Sequence, residues 1–293
     1  MMVKSLQKPL DFLLFSNIFI SLGAAAQGLV TYHLLNKPIN LSIILFLFFS
    51  TILTYNFSIL IQKPKNPRQS VFKRVRWIFS HFKLNVAITL TAAIFLFVAF
   101  VFLNFNTQIL VLLLGVLSIS YALPIFYYNG KRLSLRNIPG LKLFLIALVW
   151  ALSSVLLPIM ELKNSGQIEI SDYHIFILIA KRFLFIMAIT IPFDVRDMFQ
   201  DKVYGLKTIP TVFGERKSLI ACQLMLMGYL LLLFFYRDNR LNTDFFALTS
   251  TILLSGWLIF KSKWQRNEYY YFFYLDGILI LQYVILVVFK FVF

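Results

Sequence analysis

The chain has 293 residues, with 28 Lys and Arg against 12 Asp and Glu, a formal net charge of +16. Apolar residues make up 60% of it and charged residues 14%, where soluble domains hold roughly 45–50% and about 25%, which excludes an ordinary soluble domain. A single cysteine, Cys222, excludes a disulfide framework, and 33 Phe with 14 Tyr exclude a solvated, disordered basic tail.

A membrane-crossing helix needs about 17–25 mostly apolar residues. Taken in chain order, the candidate spans are residues 12–32, 41–62, 84–104, 107–128, 143–160, 175–193, 218–236, 245–260 and 269–289. The sixth carries Lys181 and Arg182, and the ninth carries Asp276. In the first, Ala24, Ala25 and Ala26 follow an apolar stretch as a signal-peptidase site would. The run behind Asp11 is longer than a signal core, so a retained span is expected.

Nine spans put the termini on opposite sides, and the basic residues of alternate loops set the orientation. One side collects 21 of the 28 Lys and Arg, the other five, and Lys181 and Arg182 fall within the sixth span. The expectation is therefore an all-α, polytopic membrane helical bundle of nine transmembrane helices, with the N-terminus cytoplasmic and the C-terminus outside. No tract reads as a linker, so residues 1–293 form one domain, expected in the cell membrane. The basic loops face anionic lipid headgroups, and nucleic-acid binding is not needed to explain the charge.

The acids are unevenly spread. None lies between Asp11 and Glu161, whereas Asp194, Asp197 and Asp201 fall within eight residues at the end of the sixth span. Spacings of three and four place them on roughly one helical face, where like charges repel unless a cation sits among them. A Mg²⁺ ion would answer that need, since it takes one or two carboxylates and completes its octahedron with water and phosphate oxygens. Ion pairing of the acids with Arg196 and Lys202 at a solvated helix end is the alternative. The turn-rich tract from Lys202 to Gly214 follows, able to fold back over the site.

With these residues in view, the sequence resembles the UbiA superfamily of intramembrane prenyltransferases. Asp194 to Gly214 is similar to that family's second aspartate motif, with Asp197 and Asp201 at its key positions, and Tyr127 to Lys131 is similar to its YxxxK element. The resemblance implies a helical bundle with a lipid-accessible cavity, in which Mg²⁺ held by two aspartate motifs grips a prenyl diphosphate while a lipophilic acceptor attacks the allylic cation. It also implies Asp197, Asp201 and Lys131 as catalytic residues. Asn56, Tyr127, Lys131 and Arg196 would bind substrate, and Asp194, Asp197 and Asp201 would hold metal. The first motif departs from the family pattern. Asn56 is present, but its two Asp positions hold Leu60 and Pro64. Fewer Mg²⁺ ions than the two-motif pattern are therefore expected.

Other constellations read more plainly. Arg132, Arg136 and Lys142 are taken as ordinary positive-inside residues. Asp276 is expected to pair with Lys181 or Arg182 inside the membrane. His33, His81 and His174 lack ligand spacing. Two functions follow: a membrane prenyltransferase, or a catalytically silent relative that binds an isoprenoid or lipid or serves as a scaffold. A transporter would call for an inverted repeat or a pair of broken helices, and neither is visible.

Overall fold

The computed structural model describes residues 2–61, 63–64, 66–123, 126–128, 131–133, 135, 140–203, 207–236, 242–265 and 267–292, without the side chains of 2–6, 122, 126–128 and 131–133. The helices are α1 Met2–Phe15, α2 Ile18–Leu34, α3 Leu41–Ile61, α4 Lys73–Ser80, α5 Phe82–Val101, α6 Phe105–Ala122, α7 Leu141–Ala151, α8 Leu157–Asn164, α9 Asp172–Val203, α10 Ile209–Phe213, α11 Glu215–Phe235, α12 Thr243–Ser262 and α13 Gly277–Val292. A π-helical stretch, Leu152–Leu156, joins α7 to α8, and another, Tyr270–Leu275, leads into α13.

Among the described residues, seven helices are long and apolar enough to cross a membrane, or eight if α1 and α2 count as one span bent by 60°. A shorter apolar helix, Phe105–Tyr121, falls where the fourth span was expected. The bend in the first expected span has a local cause. Asn17 adopts the left-handed conformation, φ 68°, which Asn tolerates better than most side chains. At the fourth expected span, α6 stops at Ala122, short of the expected boundary at 128, and Phe126–Tyr128 (β1) instead pairs antiparallel with Lys131–Leu133 (β2). This small hairpin is a local exception to the all-α expectation.

The largest core is built by α2, α7, α9, α11, α12 and α13 around Phe185, Ala188, Ile191, Cys222, Leu248, Ile259 and Leu275. A second apolar cluster joins α2, α3, α5, α6 and α8 around Tyr32, Ile43, Leu103 and Leu157. The ninth helix sets the position of the site. Its 32 residues rise about 48 Å at 1.5 Å each, well beyond a hydrocarbon layer of about 30 Å. Asp194, Asp197 and Asp201 stand in its last ten residues, beyond 193, where the sequence had ended the span.

Candidate functional site

Helices α2, α3, α4, α7 and α9 and the π-helical stretch before α13 enclose a cavity of about 180 Å³. Its polar lining consists of Asn17, Tyr55, Arg74, Lys142, Thr190, Asp194, Arg196, Asp197 and Asp276. A mostly apolar cavity of about 220 Å³ adjoins it, walled by Ile59, Leu117, Leu145 and Val149 together with Thr54, Ser58, Ser118 and Tyr121. Tyr55, Arg74, Ile146 and Trp150 line both. A charged compartment thus borders a greasy one, with two aromatic rings on the boundary.

Each acid of the charged compartment has a protein cation beside it. Lys142 donates from Nζ to Asp194 Oδ1 at 2.5 Å, tying the start of α7 to α9. Arg196 grips Asp197 with both arms of its fork, Nε to Oδ1 at 2.8 Å and Nη2 to Oδ2 at 3.0 Å. Asp276 lies in the field of Arg74 and Arg196. The Arg196 guanidinium also sits 5.0–5.5 Å from the ring centres of Phe72, Phe193, Tyr271 and Phe272, an aromatic cage of the kind that attracts cations.

Arg74 comes from α4, a short amphipathic helix held in place from both sides. The Glu268 carboxylate accepts from the backbone N–H groups of Lys73 at 2.5 Å and Arg74 at 3.0 Å, at the positive end of that helix. Asp11 of α1 pairs with Lys73 at 3.1 Å, and Tyr269 hydrogen-bonds both residues. Arg74 in turn donates to Asn17 Oδ1, and Asn17 Nδ2 donates to Asn56 Oδ1 at 2.6 Å. Burial pushes the Arg74 guanidinium below its ordinary pKa while Asp276 and Tyr55 act the other way, and an arginine keeps its charge under such pressure.

The expected site residues are only partly brought together. Asp194, Asp197 and Arg196 line the cavity. Asn56 does not; it is buried behind Asn17 and acts through it. Asp201, a turn beyond Asp197, is also buried and outside the lining, though within electrostatic reach of Lys142 and Asp194. Among the described residues no group of three or more His, Cys, Asp or Glu is placed to hold a metal ion. Arg196 holds both oxygens of Asp197, and Lys142 holds one oxygen of Asp194, whose Oδ2 is buried without a partner among the described residues. Tyr127 and Lys131 face Arg132 and Tyr128 across the hairpin, and their side chains lie outside the described residues.

Two further readings change. Asp276 does not join Lys181 and Arg182: the cations acting on it are Arg74 and Arg196, while Arg182 meets Thr31 and Tyr229. The π-helical stretch and the break at Asp276 direct that carboxylate to the cavity. Lys142, read as a loop charge, is a site residue, and Arg74 and Asn17 were not singled out at all. Asn17 carried a usable signal, as the lone Asn of the first span, standing with Ser16 inside an otherwise apolar stretch.

No curated protein matches the chain in sequence. Its fold is similar to that of the apo UbiA homologue from Aeropyrum pernix K1, with a TM-score of 0.61 at 15% identity over 94% of this chain and 97% of that one. It is also similar to a UbiA homologue from Archaeoglobus fulgidus solved with GPP and Mg²⁺ (TM-score 0.66, 14% identity, 96% and 100% covered) and with DMAPP and Mg²⁺ (TM-score 0.64, 13% identity, 97% and 100% covered). A sequence model of the UbiA prenyltransferase family matches residues 73–275, which take in α4, the whole of α9 and the stretch before Asp276. The chain belongs to the UbiA prenyltransferase family.

Proposed function

We propose that the protein is a membrane prenyltransferase that receives the diphosphate of a prenyl diphosphate in the charged cavity and the prenyl tail in the apolar one. The observation that carries this reading is the contact between the two compartments. Lys142 and Arg196 stand in the first, and Arg74, Tyr55 and Trp150 stand where the two meet. In the transfer the allylic C–O bond breaks and its electron pair leaves with the diphosphate. The lipophilic acceptor then bonds to the carbon and gives up a proton. Protein cations beside the leaving group stabilise the charge that develops there, and ring faces on the boundary suit an allylic cation.

The Archaeoglobus homologues carry Mg²⁺ with their prenyl diphosphates, and in this chain Asp194, Asp197 and Asp201 are the residues that the second motif offers for such an ion. The fit is poor. Positions 60 and 64 hold Leu and Pro, and Asp194 and Asp197 are bound to Lys142 and Arg196. No step is therefore assigned to a metal. Asp197 is proposed as the resting counter-ion of Arg196, which the diphosphate displaces, with Asn56 supporting Arg74 through Asn17. Lys131 and Tyr127 are proposed to meet the substrate from the hairpin. We further propose nine spans with a cytoplasmic N-terminus, so that this mouth opens on the side rich in basic residues and membrane lipids surround the bundle.

The missing acids also favour a second reading, a relative that binds a prenyl diphosphate or another isoprenoid without turning it over. Labelled GPP and DMAPP incubated with membranes that contain or lack the protein separate the two. The first reading expects diphosphate release together with a labelled lipophilic product. Binding without release would establish the second.

A further inference from the structure

The cavity presents ammonium and guanidinium groups beside its carboxylates, which leave one oxygen of Asp194, Oδ2, buried without a partner among the described residues. Asp194 and Asp197 are tied to Lys142 and Arg196, and Asp276 lies in the field of Arg74 and Arg196. We infer, resting on the prenyl diphosphate reading above, that Arg74, Lys142 and Arg196 hold the diphosphate in place of a resident divalent ion.

Two orphaned donors point the same way. Arg196 Nη1 and Arg74 Nε are buried and have no hydrogen-bond partner among the described residues. A buried unpaired donor is costly and calls for an acceptor, and both side chains line this cavity. Planar guanidinium groups suit phosphate oxygens, which accept two parallel N–H bonds from one fork. Their supports fix them for the task. Four aromatic rings surround Arg196, and Asn17 and the Glu268-capped α4 hold Arg74.

Three acids and three cations leave the lining without net charge, so an entering anion needs a favourable field from its surroundings. The side that collects 21 basic residues holds only six acidic ones, Asp11, Asp194, Asp197, Asp201, Glu215 and Glu268. A low-dielectric cleft at such a surface concentrates a positive potential. The incoming phosphate takes the Arg196 fork from Asp197, which makes that acid a competitor of the ligand.

The test is GPP binding to the purified full-length protein in EDTA and in excess Mg²⁺. It is run on the wild type, Arg74→Gln and Asp197→Asn. The wild type should bind equally, within about threefold, in both media. Arg74→Gln should weaken binding by about tenfold or more, the loss of a charge-assisted hydrogen bond. Asp197→Asn should tighten it by about threefold, since a competing carboxylate is removed. Binding that needs Mg²⁺ and is lost in Asp197→Asn overturns the inference and leaves the substrate reading standing. Absence of binding in both media overturns the inference and the substrate reading alike. Should Arg74→Gln fail to fold, inorganic diphosphate decides in the wild type with EDTA: displacement of GPP supports the inference, and failure to displace it overturns it.

Discussion

Lys142 and Asp194 meet at 2.5 Å, 52 positions apart in sequence, and this contact fixes the start of α7 against the polar end of α9. Asp194 is buried, so loss of its partner leaves a charge with nowhere to go. Lys142→Met should destabilise the protein by about 3–5 kcal/mol, whereas Lys142→Met with Asp194→Leu should recover most of that. Thermal unfolding of the four proteins in detergent measures the coupling. Additive losses in the double variant would show that the pair does not act as a unit.

Asn17 combines a backbone role with a side-chain role. Its positive φ makes the bend between α1 and α2, and its amide links Arg74 to Asn56. Asn17→Gly keeps the backbone and loses the amide, and Asn17→Ala loses both. Alanine should be the less stable of the two by about 1 kcal/mol, and both should weaken GPP binding. Unfolding curves and binding isotherms for the pair check the two parts separately.

Much of this architecture can be read in the sequence and much of the site cannot, for physical reasons. Long apolar runs report helices directly because the bilayer demands them, and each expected span has a helix at its place. The local breaks were hidden, since Asn17, the π-helical stretch before Asp276 and the early stop at Ala122 arise from packing and turn chemistry inside apolar runs. Asp194 and Asp197 announced themselves by rarity. Lys142 and Arg74 did not, because a basic residue near a membrane surface is ordinary in sequence and gains its meaning from the acid or cavity it meets. The pairing of Asp276 was misjudged because helical depth alone says nothing about which helices are neighbours.

The hold of Glu268 on the first turn of α4 yields a prediction about local stability. Glu268→Ala removes the acceptor for the Lys73 and Arg74 amides, a loss of about 1 kcal/mol confined to that helix. Amide exchange over residues 73–80 should accelerate while α9 and α11 stay protected. GPP affinity should fall with it, because Arg74 depends on that helix. Unchanged exchange in α4 would contradict the role given to Glu268.

Arg182 is buried in α9 beside Thr31, and among the described residues no acid lies within ion-pairing distance of it. A buried charge without an acid contributes little to stability, and a similarly sized apolar side chain in its place is often neutral or stabilising. Arg182→Met should leave the unfolding temperature unchanged or raise it, with GPP binding unaffected. A large drop in that temperature would reveal an essential partner for the guanidinium.

The division of labour between the two compartments predicts a selective lesion. Val149 lines only the apolar cavity, so Val149→Phe should fill space meant for the tail. GPP binding should weaken by about tenfold or more while inorganic diphosphate binding holds, since tail burial supplies much of the affinity. Equal losses for both ligands would contradict the division.

The most direct measurement of the central claim is an experimental structure of the protein with GPP bound. The account predicts the diphosphate oxygens within hydrogen-bond reach of Arg74, Lys142 and Arg196, and the tail passing Tyr55 and Trp150 toward Leu117 and Val149. A diphosphate seated outside this cavity, or a tail leaving it on another side, would contradict the account.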